Sequence, residues 1–78
     1  MEAFAVTIAK FLRDWSVDPT RVNVTGGHLA KGHPMGATGA ILVSTLLDTL
    51  DVADGRLGLV VATGAMGVGA AIVIEKLD

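Results

Sequence analysis

Two apolar stretches near the end of the chain, Leu57 to Thr63 and Val68 to Lys76, most constrain its fold. Gly64-Ala65-Met66-Gly67 separates them as a turn. Neither stretch alternates apolar with polar residues, so each is expected to be a strand that is apolar on both sides. Such strands belong to sheets covered on both faces. The chain has 78 residues, and a domain of that length has a marginal core. The helices it can supply cover little more than one face. A larger whole, in which other segments cover the second face, is the expected context.

Composition agrees. Apolar residues make up 51% and charged residues 18%, against a usual charged share of about 25%. This excludes a disordered tail and argues against a self-sufficient small domain with an ordinary polar surface. The net charge is −2 with scattered basic residues, so no nucleic-acid footprint is expected. There are no cysteines, which excludes disulfides and thiolate metal sites and fits a reducing compartment. No signal-peptide pattern is visible. The longest unbroken apolar-plus-glycine run, Gly64 to Ile74, is too short to cross a bilayer. The expected setting is cytoplasmic, with no membrane span.

Upstream, residues 2–15 read as an amphipathic helix, with Phe4, Ile8, Phe11 and Trp15 at helical spacing. Ser16 to Thr20 is a linker. Arg21 to Thr25 reads as a strand, with Val22 and Val24 alternating against Asn23. A glycine loop runs from Gly26 to Gly36, and a second helix is expected over roughly Met35 to Leu50. The fold class is therefore α/β. The order α-β-α-β-β describes a mixed sheet ending in a β-hairpin.

The loop Gly26-Gly27-His28-Leu29-Ala30-Lys31-Gly32-His33-Pro34-Met35-Gly36 is the most informative stretch. Glycines let backbone approach a ligand, and a helix start favours an anion. A tight turn that only lets elements pack is equally open. His33, on a rigid Gly-His-Pro turn, is the best candidate for general-base work; a surface loop histidine is the alternative. His28 is weaker, and the two histidines without an adjacent acid make a poor metal site. Gly64-x-x-Gly67-x-Gly69 joins two strands and is not a dinucleotide fingerprint.

Gly26-Gly27, Gly32-His33-Pro34 and Gly36-Ala37-Thr38-Gly39-Ala40, taken in order, resemble the C-terminal signature of the thiolase family. Glu2-Ala3-Phe4-Ala5 is similar to the family's preceding Glu-Ala-Phe motif, and Gly58 through Gly69 to Glu75 to its closing hairpin. The resemblance covers nearly the whole chain. It implies that residues 1–78 are the C-terminal portion of a thiolase C-terminal domain. The whole enzyme would make or cleave the carbon–carbon bond of 3-ketoacyl-CoA, with a coenzyme A thioester as substrate and no other cofactor.

By resemblance, His33 matches the histidine that activates a nucleophilic cysteine in the other half. The backbone N–H of Ala65 matches an oxyanion donor, and Ala3 and Phe4 line the pantetheine channel. The expected partners are acyl-CoA and the remainder of a thiolase chain or a partner subunit, in an oligomer.

Departures from the family pattern weigh equally. Thr63 stands where active thiolases carry the proton-shuttling cysteine, and a hydroxyl is far too weak an acid to replace a thiol. Its side chain is expected to face the pocket of His33. Ala3 stands where sterol-carrier-type thiolases carry a substitute cysteine, and Met1 where a water-holding Asn or His belongs. Lys31 is similar to the sterol-carrier group. Three readings follow: part of a thiolase-type acyltransferase, a thiolase-like acyl-CoA-binding protein or C–C lyase component without classical activity, or a purely structural piece. Thr63 and Ala3 favour the second over the first. His33 and its intact loop argue against the third.

Overall fold

The computed structural model describes residues 1–77. Helix α1 spans Ala5–Asp14, a short helix α2 spans His28–Lys31, and the long helix α3 spans Thr38–Val52. Strands β1, Leu57–Thr63, and β2, Gly69–Glu75, follow. Single 3-10 turns occupy Pro19–Arg21, Met35–Ala37 and Ala65–Gly67.

The hairpin is antiparallel, in register from Leu57 opposite Glu75 to Thr63 opposite Gly69. Gly64 N–H donates to the Val68 carbonyl at 2.7 Å and closes the connection. Met66 and Gly67 both take left-handed backbone inside it, with φ of 65° and 81°. Helix α3 lies against one face of the sheet. A Cβ on Gly58 would sit 2.5 Å from Leu46 Cδ1, so the bare glycine lets helix and strand approach. Leu50 and Val60 are the buried apolar side chains of this contact.

Helix α3 ends in a Schellman motif. Gly55 N–H donates to the Leu50 carbonyl at 2.8 Å, and Asp54 takes the left-handed position with φ of 54°. Outside it, Lys76 pairs with Asp51 at 2.8 Å and Arg56 pairs with Glu75. The helical stretch Met35–Val52 is long and apolar enough to cross a membrane by length and composition. It carries Asp48 and Asp51, and its Leu46 packs against Gly58 of β1.

The alternation along β1 turns Leu57, Leu59, Val61 and Thr63 to the face away from α3. There Leu57, Leu59 and Val73 are more than half exposed. This is the uncovered second face expected for strands apolar on both sides.

The strand expected over Arg21–Thr25 is not formed. Asp18 accepts from Thr20 N–H at 3.0 Å and winds the start of that segment into a 3-10 turn. Asn23 then takes φ of 47°, and among the described residues no neighbouring strand offers a ladder. Alternating valines favour a strand only where such a partner exists. The first helix starts at Ala5 rather than Glu2, because Phe4 is extended and the Glu2 side chain is engaged elsewhere.

Candidate functional site

Each side of the glycine loop is held by a different device. On the approach, Gly26 adopts φ of 92°, a conformation that disfavours other residues, and its N–H donates to the Asn23 carbonyl at 2.9 Å. Helix α2 follows as a single turn. Gly32 N–H closes it onto the His28 carbonyl at 2.8 Å, and Gly32 itself has φ of 91°. His33 therefore leaves a hydrogen-bonded turn through a glycine that has left the helical region. Pro34 then fixes the entry to the 3-10 turn before α3.

His33 is half-buried, and its Nδ1 lies 2.9 Å from the hydroxyl of Thr38. Thr38 is the first residue of α3 and is 2% exposed. A hydroxyl can donate or accept, so it serves either tautomer of the ring. In both cases Nδ1 is occupied and Nε2 is the nitrogen left for chemistry.

His28 stands beside it, with ring centroids 6.2 Å apart and ring planes at 75°. Its side chain is buried and neither ring nitrogen has a hydrogen-bond partner. Burial holds its pKa below the ordinary histidine value. His33, the Met1 amino group and Lys31 act in the same direction, and Glu2 opposes them. His28 is thus kept neutral where a solvated histidine would begin to charge.

The segment before α1 reaches this loop through Glu2. One carboxylate oxygen accepts from the side-chain amide of Asn23, the other from Leu29 N–H at 3.3 Å. At its other side the Met1 nitrogen donates to the Val61 carbonyl of β1 at 3.1 Å. Met1 to Phe4 therefore link the histidine loop to the hairpin. Ala3 is half-buried and Phe4 is largely exposed.

Thr63 is the last residue of β1, and Ala65 is the first of the 3-10 turn that follows. The first N–H of such a turn has no partner inside it. Among the described residues, no hydrogen bond joins His33 to Thr63 or Ala65. The shallow depressions at Asp54–Arg56 with Lys76, and along Val6 to Arg13 of α1, include none of these residues. Among the described residues, no three of His, Asp and Glu gather as a metal site would require.

In the sequence Glu2 and Thr38 stand inside the family-like motifs and Asn23 inside an expected strand, with no role assigned to any of them. The signal for Thr38 was its place at the start of a helix just after a histidine turn. The signal for Glu2 was a lone acid ahead of an apolar helix face.

These features define an α/β half-domain in which a long helix backs a hairpin and a glycine turn presents a histidine at the helix start. The chain belongs to the thiolase family: the thiolase C-terminal domain model matches residues 1–76. It is 42% identical over 76 residues to a steroid 3-ketoacyl-CoA thiolase of Mycobacterium tuberculosis, covering 97% of this chain and 19% of that protein. It is 42% identical over 77 residues to an acetyl-CoA acetyltransferase of Escherichia coli, covering 99% of this chain and 20% of that one. A 3-ketoacyl CoA thiolase of Petunia hybrida named as peroxisomal is 43% identical over 79 residues, with 99% and 17% covered. The chain spans about a fifth of the length of these curated relatives. No solved structure matches it.

Proposed function

We propose that the chain is the C-terminal portion of a thiolase-type acyl-CoA acyltransferase and contributes its general-base histidine. The observation that carries this reading is the mounting of His33, with Nδ1 held by a buried hydroxyl at 2.9 Å and Nε2 free. In the reaction the resemblance implies, Nε2 takes the proton of a cysteine thiol contributed by the other half. The thiolate attacks the 3-keto carbon of the acyl-CoA, and the bond between carbons 2 and 3 breaks. One product is the acyl-cysteine; the other is the enolate of acetyl-CoA. An activated thiolate and fixed donors near the developing oxyanion are what such a step needs.

Ala65 N–H supplies one donor, and Ala3 and Phe4 contact the pantetheine arm. The substrate is a coenzyme A thioester, the partner is the rest of a thiolase chain in an oligomer, and the location is the cytoplasm. The enolate then needs a proton, and Thr63 stands where its donor belongs. That substitution favours a second reading, in which the protein binds acyl-CoA or cleaves a C–C bond without classical thiolase turnover.

Acetoacetyl-CoA thiolysis by the complete protein carrying this segment tests the reading. His33→Ala is expected to lower kcat by about 10²–10⁴-fold, the usual cost of a lost general base, and His28→Ala by far less. The 78-residue chain alone is expected to be inactive. Equal losses from the two histidine changes remove His33 from this role. Tight acyl-CoA binding with no turnover moves the assignment to the second reading.

A further inference from the structure

We propose that Glu2 is a positioning residue, a carboxylate strut that fixes the His33 turn relative to the acyl-CoA-contacting segment Ala3–Phe4. The inference rests on the acyltransferase reading and adds a residue to it. Glu2 sits immediately before Ala3, and its two oxygens are divided between two parts of the loop. One accepts from the Asn23 side-chain amide and the other from Leu29 N–H at 3.3 Å.

The loop is shaped to receive the carboxylate. A Cβ on Gly27 would lie 2.2 Å from Glu2 Cδ and from one of its oxygens, so a larger residue there would displace the carboxylate. Asn23, with φ of 47°, and Gly26, with φ of 92°, curl the backbone so that the amide and Leu29 N–H reach the same side chain. Helix α2 converts that contact into a position for His33. From Leu29 the chain is braced by Ala30 and Lys31 N–H donating to the Gly27 carbonyl at 3.2 Å each, and by Gly32 N–H on His28. His33 is the next residue, and Thr38 holds its far side.

The strut needs two hydrogen-bonding atoms on one side chain. Both groups facing Glu2 are donors, and an ionised carboxylate is acceptor-only. A glutamine keeps both contacts: its oxygen accepts from Leu29 N–H, and its NH2 donates to the Asn23 side-chain oxygen once that amide turns over. A leucine of similar size keeps neither.

The experiment uses the complete protein carrying this segment and measures kcat and KM for acetoacetyl-CoA thiolysis, with circular dichroism to follow folding. Glu2→Leu is expected to lower kcat about 10- to 100-fold, the cost of a small misplacement of a catalytic group, with a smaller change in KM. Glu2→Gln, which keeps both contacts, is expected to retain most of the rate. A folded Glu2→Leu protein with unchanged kcat, or a Glu2→Gln protein that loses as much as Glu2→Leu, overturns the strut. If His33→Ala leaves turnover untouched, the acyltransferase reading fails separately. The strut is then judged by the nitrogen-15 NMR signals of the His33 ring: they shift in Glu2→Leu and stay in place in Glu2→Gln, or the proposal falls.

Discussion

The hydroxyl of Thr38 and Nδ1 of His33 lie 2.9 Å apart, and Thr38 is among the most buried residues of the chain. This contact decides which ring nitrogen is available. Replacing Thr38 by valine keeps the volume and removes the partner of Nδ1, leaving a half-buried polar atom unpaired. Thr38→Val is expected to lower kcat of the complete protein about 10- to 100-fold through misorientation of the ring. Thr38→Ser, which keeps the hydroxyl, is expected to retain most activity. Steady-state kinetics give the rates, and nitrogen-15 spectra of the ring show whether the tautomer balance shifts only in the valine variant.

Thr63→Cys is expected to raise thiolysis or condensation by the complete protein. Thr63 is exposed at the end of β1, opposite Gly69, so the exchange is expected to cost no more than about 0.5 kcal/mol, as for ordinary surface changes. What changes is acidity, because a thiol lends and retakes a proton near neutral pH and an alkyl hydroxyl does not. Rates measured beside the melting temperature check this. Intact stability with no gain in rate favours the reading without classical thiolase turnover.

His28 predicts an acid limb of stability. Burial lowers its pKa in the folded chain, with His33 adding to the effect, while the unfolded chain takes up the proton near the ordinary value of about 6.5. The unfolded state therefore binds more protons below that value, so stability is full above it and falls as pH drops toward the folded pKa. Melting temperatures of the complete protein at about pH 7.5 and about pH 5.5, on either side of that value, are expected to show a smaller drop for His28→Leu than for the parent. The leucine also removes two unpartnered buried nitrogens. An identical drop in both proteins assigns the acid sensitivity to other groups.

Gly58→Ala is expected to destabilise the packing of α3 on β1. The new methyl would meet Leu46 Cδ1 at 2.5 Å, and overpacking of this kind costs about 1–3 kcal/mol. Leu46→Ala alone opens a gap. Together the two changes relieve each other, so denaturant midpoints of the double variant are expected to lie above those calculated from the single losses.

The hairpin and the long helix were legible because each is written in its own residues. Leu57 to Thr63 is an unbroken apolar run, Gly64 and Gly67 mark its turn, and Ile41, Leu42, Leu46 and Leu50 repeat at helical spacing. The segment Arg21 to Thr25 misled because its valines describe what a strand tolerates, whereas pairing depends on a neighbour. Helix α2 is one turn between glycines and has no period to read. His33 stood out through Gly-His-Pro. Thr38 and Glu2 did not, because their value lies in contacts across the loop: Thr38 with His33 on its far side, and Glu2 with Leu29, distant in sequence.

The side of the hairpin turned away from α3, with Leu57, Leu59, Val61 and Val73 in the open, is expected to make the isolated segment's melting point a function of concentration. Each such side chain gains at most about 1.5–3 kcal/mol on full burial, so the four together reach the scale of the whole stability of a small domain. Whatever covers that face, a second copy or the remainder of a thiolase fold, acts on the folded state as a ligand does. Dilution then unfolds what heat would otherwise be needed to unfold. The temperature at which the isolated segment melts is thereby a binding isotherm read along another axis, and it rises with the amount of cover supplied.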